Sequence, residues 1–274
     1  MMTKRLIKQL IIASVFLIIL VSIILLVNYF KRPEPSCFDN IKNQGEEETD
    51  CGGPCLSCEL INIEKLKVIW VDVISNKEGF YDIAAEIRNP NQNYGSGNVD
   101  YKLELYDYDD NVVAEYFGNT FILPNQTKYL TRTKIEEVNS IRRASISFTQ
   151  VEWKKPFNYH PPEFAIQQKE YYFLDDGSLG VSQAKAVLVN KTNFDFEKID
   201  IDVLMFDALD NLIAVNNTEI RTLPVNQERG FVVTWFEEID GQISYVEIEP
   251  ETNIFNPDNY ISVDIGDIEE FQEY

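Results

Sequence analysis

The 274 residues carry 45 Asp and Glu against 24 Lys and Arg, a formal charge of −21, with 45% hydrophobic residues and one histidine. This balance argues against nucleic acid as a partner, because phosphate contacts need clustered Lys and Arg. It equally disfavours lying flat on an anionic lipid surface.

The first predicted element runs from Leu6 to Phe30. Between Leu10 and Val27 it has no charge, and Ser14 and Ser22 are its polar residues. About 25 such residues make a helix roughly 37 Å long, enough for a hydrocarbon core of about 30 Å. A cleaved signal peptide is the rival, but its apolar region is shorter and ends in small residues, whereas this run ends Val27-Asn28-Tyr29-Phe30. Lys4, Arg5 and Lys8 precede the run, and Lys31 and Arg32 follow it. The expectation is a single-pass anchor at 6–30 in the lipid of the plasma membrane. Residues 1–5 form a short cytoplasmic end, and everything after the helix is extracytoplasmic.

Residues 31–59 hold every cysteine: Cys37, Cys51, Cys55 and Cys58. Four thiols ending in C-x-x-C suit zinc or a redox centre, but Cys37 has no close partner for a knuckle and no βαβ context surrounds Cys55 and Cys58. Outside the membrane two disulfides are the default, and three connectivities fit equally. Gly52 and Gly53 permit tight turns and Pro54 fixes one φ. Asp39, Glu46, Glu47, Glu48 and Asp50 read as a solvated acidic loop in preference to a calcium site. The run CFDNIKNQGEEETDCGGPCLSC (37–58) resembles a short cysteine-rich module common in prokaryotic surface proteins. That resemblance implies a structural spacer between an anchor and exposed domains.

From Leu60 on, short alternating segments are separated by turn residues. Val99, Tyr101, Leu103 and Leu105 alternate with Asp100, Lys102, Glu104 and Tyr106. Ile199, Ile201, Val203 and Met205 alternate in the same way with Asp200, Asp202, Leu204 and Phe206. Period two marks strands with one buried face. LYDYDDNVVA (105–114) lies over MFDALDNLIA (205–214), Asn89 over Asn190, and Leu123-Pro124 over Leu223-Pro224. The chain therefore holds two copies of one domain, each expected to carry around seven strands. Strands are predicted near 66–74, 80–88, 99–107, 112–117, 120–123, 127–134 and 143–152, then near 165–174, 181–190, 198–207, 212–220, 229–236 and 243–249. The proline-bearing connector KKPFNYHPPEF (154–164) separates the copies.

LELYD (103–107) and VLMFD (203–207) are similar to the namesake signature of the FxLyD family of small extracytoplasmic β-sandwiches, with Leu103 and Val203 at its Phe position. The resemblance implies an immunoglobulin-like fold and no catalytic residue. The expected fold class is all-β: two tandem immunoglobulin-like β-sandwiches, 60–158 and 159–262. One transmembrane helix and a small disulfide-rich segment precede them, and an acidic tail at 263–274 follows.

Catalysis has little to work with. His160 lies beside Pro161 in the connector, and neither G-x-S-x-G nor a phosphate-binding loop occurs. Carboxylates alone would serve a glycosidase, and the densest cluster, Asp107, Asp109 and Asp110, is also the calcium candidate. Its counterpart has Leu209 for Asp109, which favours a turn in both copies. Trp70, Trp153 and Trp235 are assigned to sandwich cores. Asn125, Asn190 and Asn216 head glycosylation sequons, with Asn125 and Asn216 placed near turns. The reading is a non-enzymatic, membrane-anchored protein without cofactor, binding a protein or glycan of the cell envelope. The rival is a surface glycoside hydrolase or a calcium-dependent adhesin.

Overall fold

The computed structural model describes residues 4–30, 36–77 and 79–261. The tail expected at 263–274 lies outside them, as does most of the short end at 1–5. The chain divides into two compact units, Met1–Ile63 and Glu64–Tyr274.

The first unit contains helix α1, Lys4–Phe30, and the short helix α2, Cys58–Ile61. From Ile7 to Val27 α1 is long and apolar enough to cross a membrane, and its apolar side chains are exposed on every side. Between the helices Cys37 pairs with Cys55 and Cys51 with Cys58. The acids here are not simply solvated, which corrects the sequence reading. Glu46 is buried, and its Oε2 accepts from the backbone N–H groups of Asn43 (3.1 Å) and Asp50 (3.2 Å). Asp50 Oδ1 accepts in turn from the N–H groups of Asp39 (3.0 Å) and Asn40 (3.1 Å). Loops too short for a core thus use carboxylates as backbone acceptors. Gly53, at φ +59°, is required where it stands, because a Cβ there would lie 2.6 Å from the Gly45 carbonyl oxygen. Peptide mapping of the unreduced protein should recover the Cys37–Cys55 and Cys51–Cys58 cross-links; a peptide joining Cys55 to Cys58 would refute this pairing.

The second unit is all-β. Its first six strands are β1 (Lys67–Lys77), β2 (Phe80–Arg88), β3 (Ser96–Tyr106), β4 (Val112–Ile122), β5 (Thr127–Glu136) and β6 (Arg143–Val151). They form two antiparallel sheets, β1-β2-β5 and β4-β3-β6. The next six repeat the arrangement: β7 (Phe164–Phe173), β8 (Ser182–Asn190), β9 (Phe196–Phe206), β10 (Leu212–Leu223), β11 (Glu228–Trp235) and β12 (Tyr245–Glu251). Their sheets are β11-β8-β7 and β10-β9-β12. Among the described residues each copy has six strands where around seven were expected. The segments 112–117 and 120–123 are one strand, β4, which runs through Gly118 unbroken. The Tyr101 ring covers that glycine, to the point that a Cβ would fall 2.4 Å from it. An aromatic ring here supplies the packing that glycine lacks.

The alternation places Leu103 and Leu105 with Ile83, Tyr101 and Ile135 inside the first sandwich. Ile199, Ile201, Val203 and Met205 fill the second, with Leu188, Phe231 and Trp235. The matched asparagines pin equivalent corners. Asn89 Nδ2 donates to the carbonyls of Tyr94 (2.6 Å) and Leu123 (2.8 Å), and Asn190 Nδ2 to those of Phe194 (2.8 Å) and Leu223 (3.0 Å). Both side chains are fully buried, so each amide satisfies two carbonyls that would otherwise be orphaned.

The two sandwiches meet face to face. The outer side of β9 and β10 presents Leu204, Phe206, Leu212 and Val215 to Ile74 and Ala84 of the other sandwich, with Trp70 and Tyr129 packed against them. Trp70 therefore belongs to this seam, 5.8 Å from the Tyr129 ring, and not to a sandwich core as predicted. Beyond β12 the chain adds a further clasp. Asn253 Nδ2 donates to the Gly97 carbonyl (3.1 Å), and Phe255 lies against Gly95 and Gly97. A Cβ on Gly97 would sit 2.5 Å from Phe255 Cβ. Gly97→Val should therefore lower stability by about 1–3 kcal/mol, the range for overpacking. Thermal unfolding with and without a compensating Phe255→Ala checks this, and additive losses in the pair would show that the two positions do not touch.

Candidate functional site

At one end the seam turns from apolar to charged. Register explains the change: on the outer side of β9 the residues run Lys198, Asp200, Asp202, then Leu204 and Phe206. Strand β12 sets Glu249 opposite Asp202 and Glu251 opposite Asp200. Into this carboxylate ladder comes Lys128 of β5, buried with Glu251 as an ion pair and lying 4.0 Å from the centre of the Phe121 ring. Thr131 Oγ1 donates to Asp202 Oδ1 (2.6 Å), the Tyr129 hydroxyl to Glu247 (3.0 Å), and the Tyr129 N–H to Glu249 (3.3 Å).

One ammonium cannot compensate three enclosed carboxylates. Burial pushes Asp202 up to about 6 and Glu249 up to about 7, and it raises Glu251 as well. Asp72, across the seam on β1, is raised by burial alone. The charge of Asp202 adds to the rise of both Glu249 and Glu251, so these three acids gain protons together as pH falls.

Lys128, Tyr129, Thr131, Asp202 and Glu251 border a polar cleft of about 820 Å³ between the sandwiches. Two acids of its wall, Asp200 and Glu219, are paired with basic residues of the same wall. Lys198 Nζ lies 2.8 Å from Asp200 and 3.5 Å from Glu219, and Arg221 Nε lies 2.7 Å from Glu219. Hydrogen bonding to Arg221 holds the Glu219 carboxyl below its ordinary value. The wall amides are engaged too: Asn217 donates to Thr131 Oγ1 (3.1 Å) and Asn119 to Asp100 (2.8 Å). Part of the cleft's polar surface is thus satisfied within the protein.

The residues singled out in the sequence are placed elsewhere. Asp107 Oδ1 accepts from the N–H groups of Asp109 and Asn111, both at 2.9 Å, and the Asn111 amide holds its carboxyl below the usual range. Asp207 repeats this with Leu209 (2.8 Å) and Asn211 (2.9 Å). Asp110 and Asp210 share φ 61°, the left-handed position of the turn, and Asp110 pairs with Arg143 at 2.9 Å. Asp107, Asp109 and Asp110 are not drawn together around a point. Among the described residues the metal-sized grouping is Glu48, Cys51 and Cys58, whose two sulfurs are bonded to each other. His160 is exposed, its Nδ1 2.9 Å from the Asn158 carbonyl oxygen.

Of the sequons, Asn125 is exposed at a turn with φ 54°. Asn190 is corrected: fully buried, with both amide hydrogens engaged, it has no free nitrogen to modify. Asn216 lies half-buried within β10 and donates to the Thr234 carbonyl (3.0 Å). Lys128 and Glu251, the centre of the seam, were missed. Their signal was the pair Leu204 and Phe206 on an outer face where the first copy has Glu104 and Tyr106.

Neither models of known protein families nor curated proteins match this chain.

Proposed function

We propose that this is a single-pass, membrane-anchored extracytoplasmic protein whose two sandwiches serve binding or envelope assembly without catalysis. The carrying observation is the order of parts: an apolar helix exposed all round, then a module closed by two disulfides, then β-domains. Disulfides of this kind persist on the oxidising side of a membrane. The cysteine module and the FxLyD-like repeat are expected to act as spacer and binding platform. Pairing of Asp200 and Glu219 with Lys198 and Arg221 in the cleft wall supports the non-catalytic part of the reading.

Protease added to intact cells should remove the β-domains and leave a short fragment containing α1. Full protection of the β-domains would reverse the topology, and a mature chain starting near Lys31 would replace the anchor with a cleaved signal.

A second reading follows from the raised carboxyl of Asp202 beside the cleft: a glycoside hydrolase needs one protonated and one ionised acid. Release of reducing ends from envelope polysaccharide, abolished in Asp202→Asn with the fold intact, would establish it.

A further inference from the structure

Strand β12 pairs with β9 on one side and, among the described residues, has no strand on the other. Residues of an antiparallel strand turn their N–H and C=O alternately toward and away from the neighbour. The Val246 carbonyl is reached from outside β9, by the amine of Lys169, and Pro250, which has no N–H, holds a position of the same parity. Val246 and Ile248 therefore direct their backbone groups to the open edge. Proline at such a position is the habit of edge strands.

Beside this edge lies a groove of about 670 Å³ between β7 and β12, lined by Tyr171, Phe173, Ile239, Ile243 and Val246, with Lys169 across it. The Tyr171 hydroxyl is buried and, among the described residues, has no hydrogen-bond partner. A buried unpaired hydroxyl costs stability unless something satisfies it. Strand β7 bulges at Gln168, φ 50°, and the bulge falls beside Lys169. A lysine on an edge ordinarily keeps foreign strands away. Here a single amine covers a single carbonyl, and among the described residues no strand pairs with the Ile248 edge.

The chain beside the groove is acidic, which favours a basic occupant. The loop joining β11 to β12 (236–244) gives Ile239 and Ile243 to the groove; of its acids Glu237 is paired with Lys77, while Glu238 and Asp240, next to the lining residues, are exposed. The whole chain bears −21.

We propose that the open edge of β12 accepts an extended segment of a partner protein as a seventh strand, apolar at alternate positions and basic at the others. Its amide replaces the Lys169 amine on the Val246 carbonyl, and its apolar side chains enter the groove over Tyr171 and Ile243. This is strand addition, in which backbone bonds give affinity and alternate side chains give specificity. The proposal rests on the reading of the protein as a binding platform, but its test uses no envelope component. Failed envelope capture with intact peptide binding would therefore remove only the broader role.

The test uses the full chain in detergent micelles and a capped synthetic peptide of alternating valine and lysine, about seven residues long, the usual length of a strand. Hydrogen exchange at the Val246 and Ile248 amides should slow by about tenfold or more on adding the peptide, as expected for newly bonded amides. The Glu247 and Glu249 amides, already directed at β9, should not change. Methylating alternate peptide nitrogens, or replacing lysine with glutamate, should abolish the effect. No slowing, or equal slowing with the methylated or acidic peptide, would overturn the proposal. So would protection of Val246 and Ile248 that rises with protein concentration in the absence of peptide, since a second copy would then be the occupant.

Discussion

Lys128→Met is expected to lower the melting temperature of the paired sandwiches by on the order of 10 °C at pH 8. The reasoning starts from three carboxylates, Asp202, Glu249 and Glu251, enclosed around one ammonium. Removing one partner of a buried ion pair leaves an uncompensated charge and costs about 3–5 kcal/mol. In a unit of this size each kcal/mol moves the midpoint by about 2–4 °C.

The same cluster fixes the sign of the pH dependence. Each acid is raised above its ordinary value by burial, so it binds its proton more tightly folded than unfolded. Its favourable contribution is complete below the ordinary carboxylate range, near pH 4, and is lost as pH rises through the raised values of about 6 and 7. The intact protein should therefore lose stability from these groups between pH 5 and pH 8. Lys128→Met should steepen that loss and show a smaller deficit at pH 5. Adding Glu251→Gln should restore most of it. Calorimetry at the two pH values and constant ionic strength decides the matter. An equal deficit at both would mean that Lys128 acts through its packing on Phe121 and not through charge.

The repeat was legible because two signals agree in it: period-two alternation on β3 and β9, and the Asp-Asn turns that follow both. Agreement of pattern and turn chemistry is what makes a local reading dependable. Gly118 broke the pattern of β4 only because its compensating neighbour, Tyr101, is distant in sequence. The pairing of the cysteines was hidden for a different reason, since three connectivities close equally short loops. Asn89 and Asn190 could be aligned, yet nothing local says that each reaches two carbonyls, one of them far along the chain. The seam was the hardest part to see. Its apolar half depends on a few outward residues such as Leu204 and Phe206, and its charged half reads in sequence as ordinary surface acids. What buries them is another sandwich, about which the local pattern is silent.

Leu105→Asp should unfold the first sandwich outright, whereas Asp110→Asn, five positions on, should change almost nothing. Leu105 is fully buried on β3, between Ala114 of β4 and Ala144 of β6. A carboxylate there finds no cation among the apolar residues of the core, and the cost of several kcal/mol is comparable to a whole domain's stability of roughly 5–15 kcal/mol. Because β1, β2 and β5 supply one side of the seam, their loss also uncovers Leu204 and Phe206 of the second sandwich. A single early transition is therefore expected in place of one surviving domain, and Met205→Asp should reproduce it from the other side. Asp110 is different in kind: its φ of 61° suits asparagine as well as aspartate, and its ion pair with Arg143 is exposed. Such a pair is worth about 0–1 kcal/mol. Calcium titration should likewise leave the midpoint nearly unmoved, because the oxygens of Asp107 already accept from Asp109 and Asn111 within the turn. A large calcium-dependent rise that disappears in Asp110→Asn would show that the turn is a metal site after all.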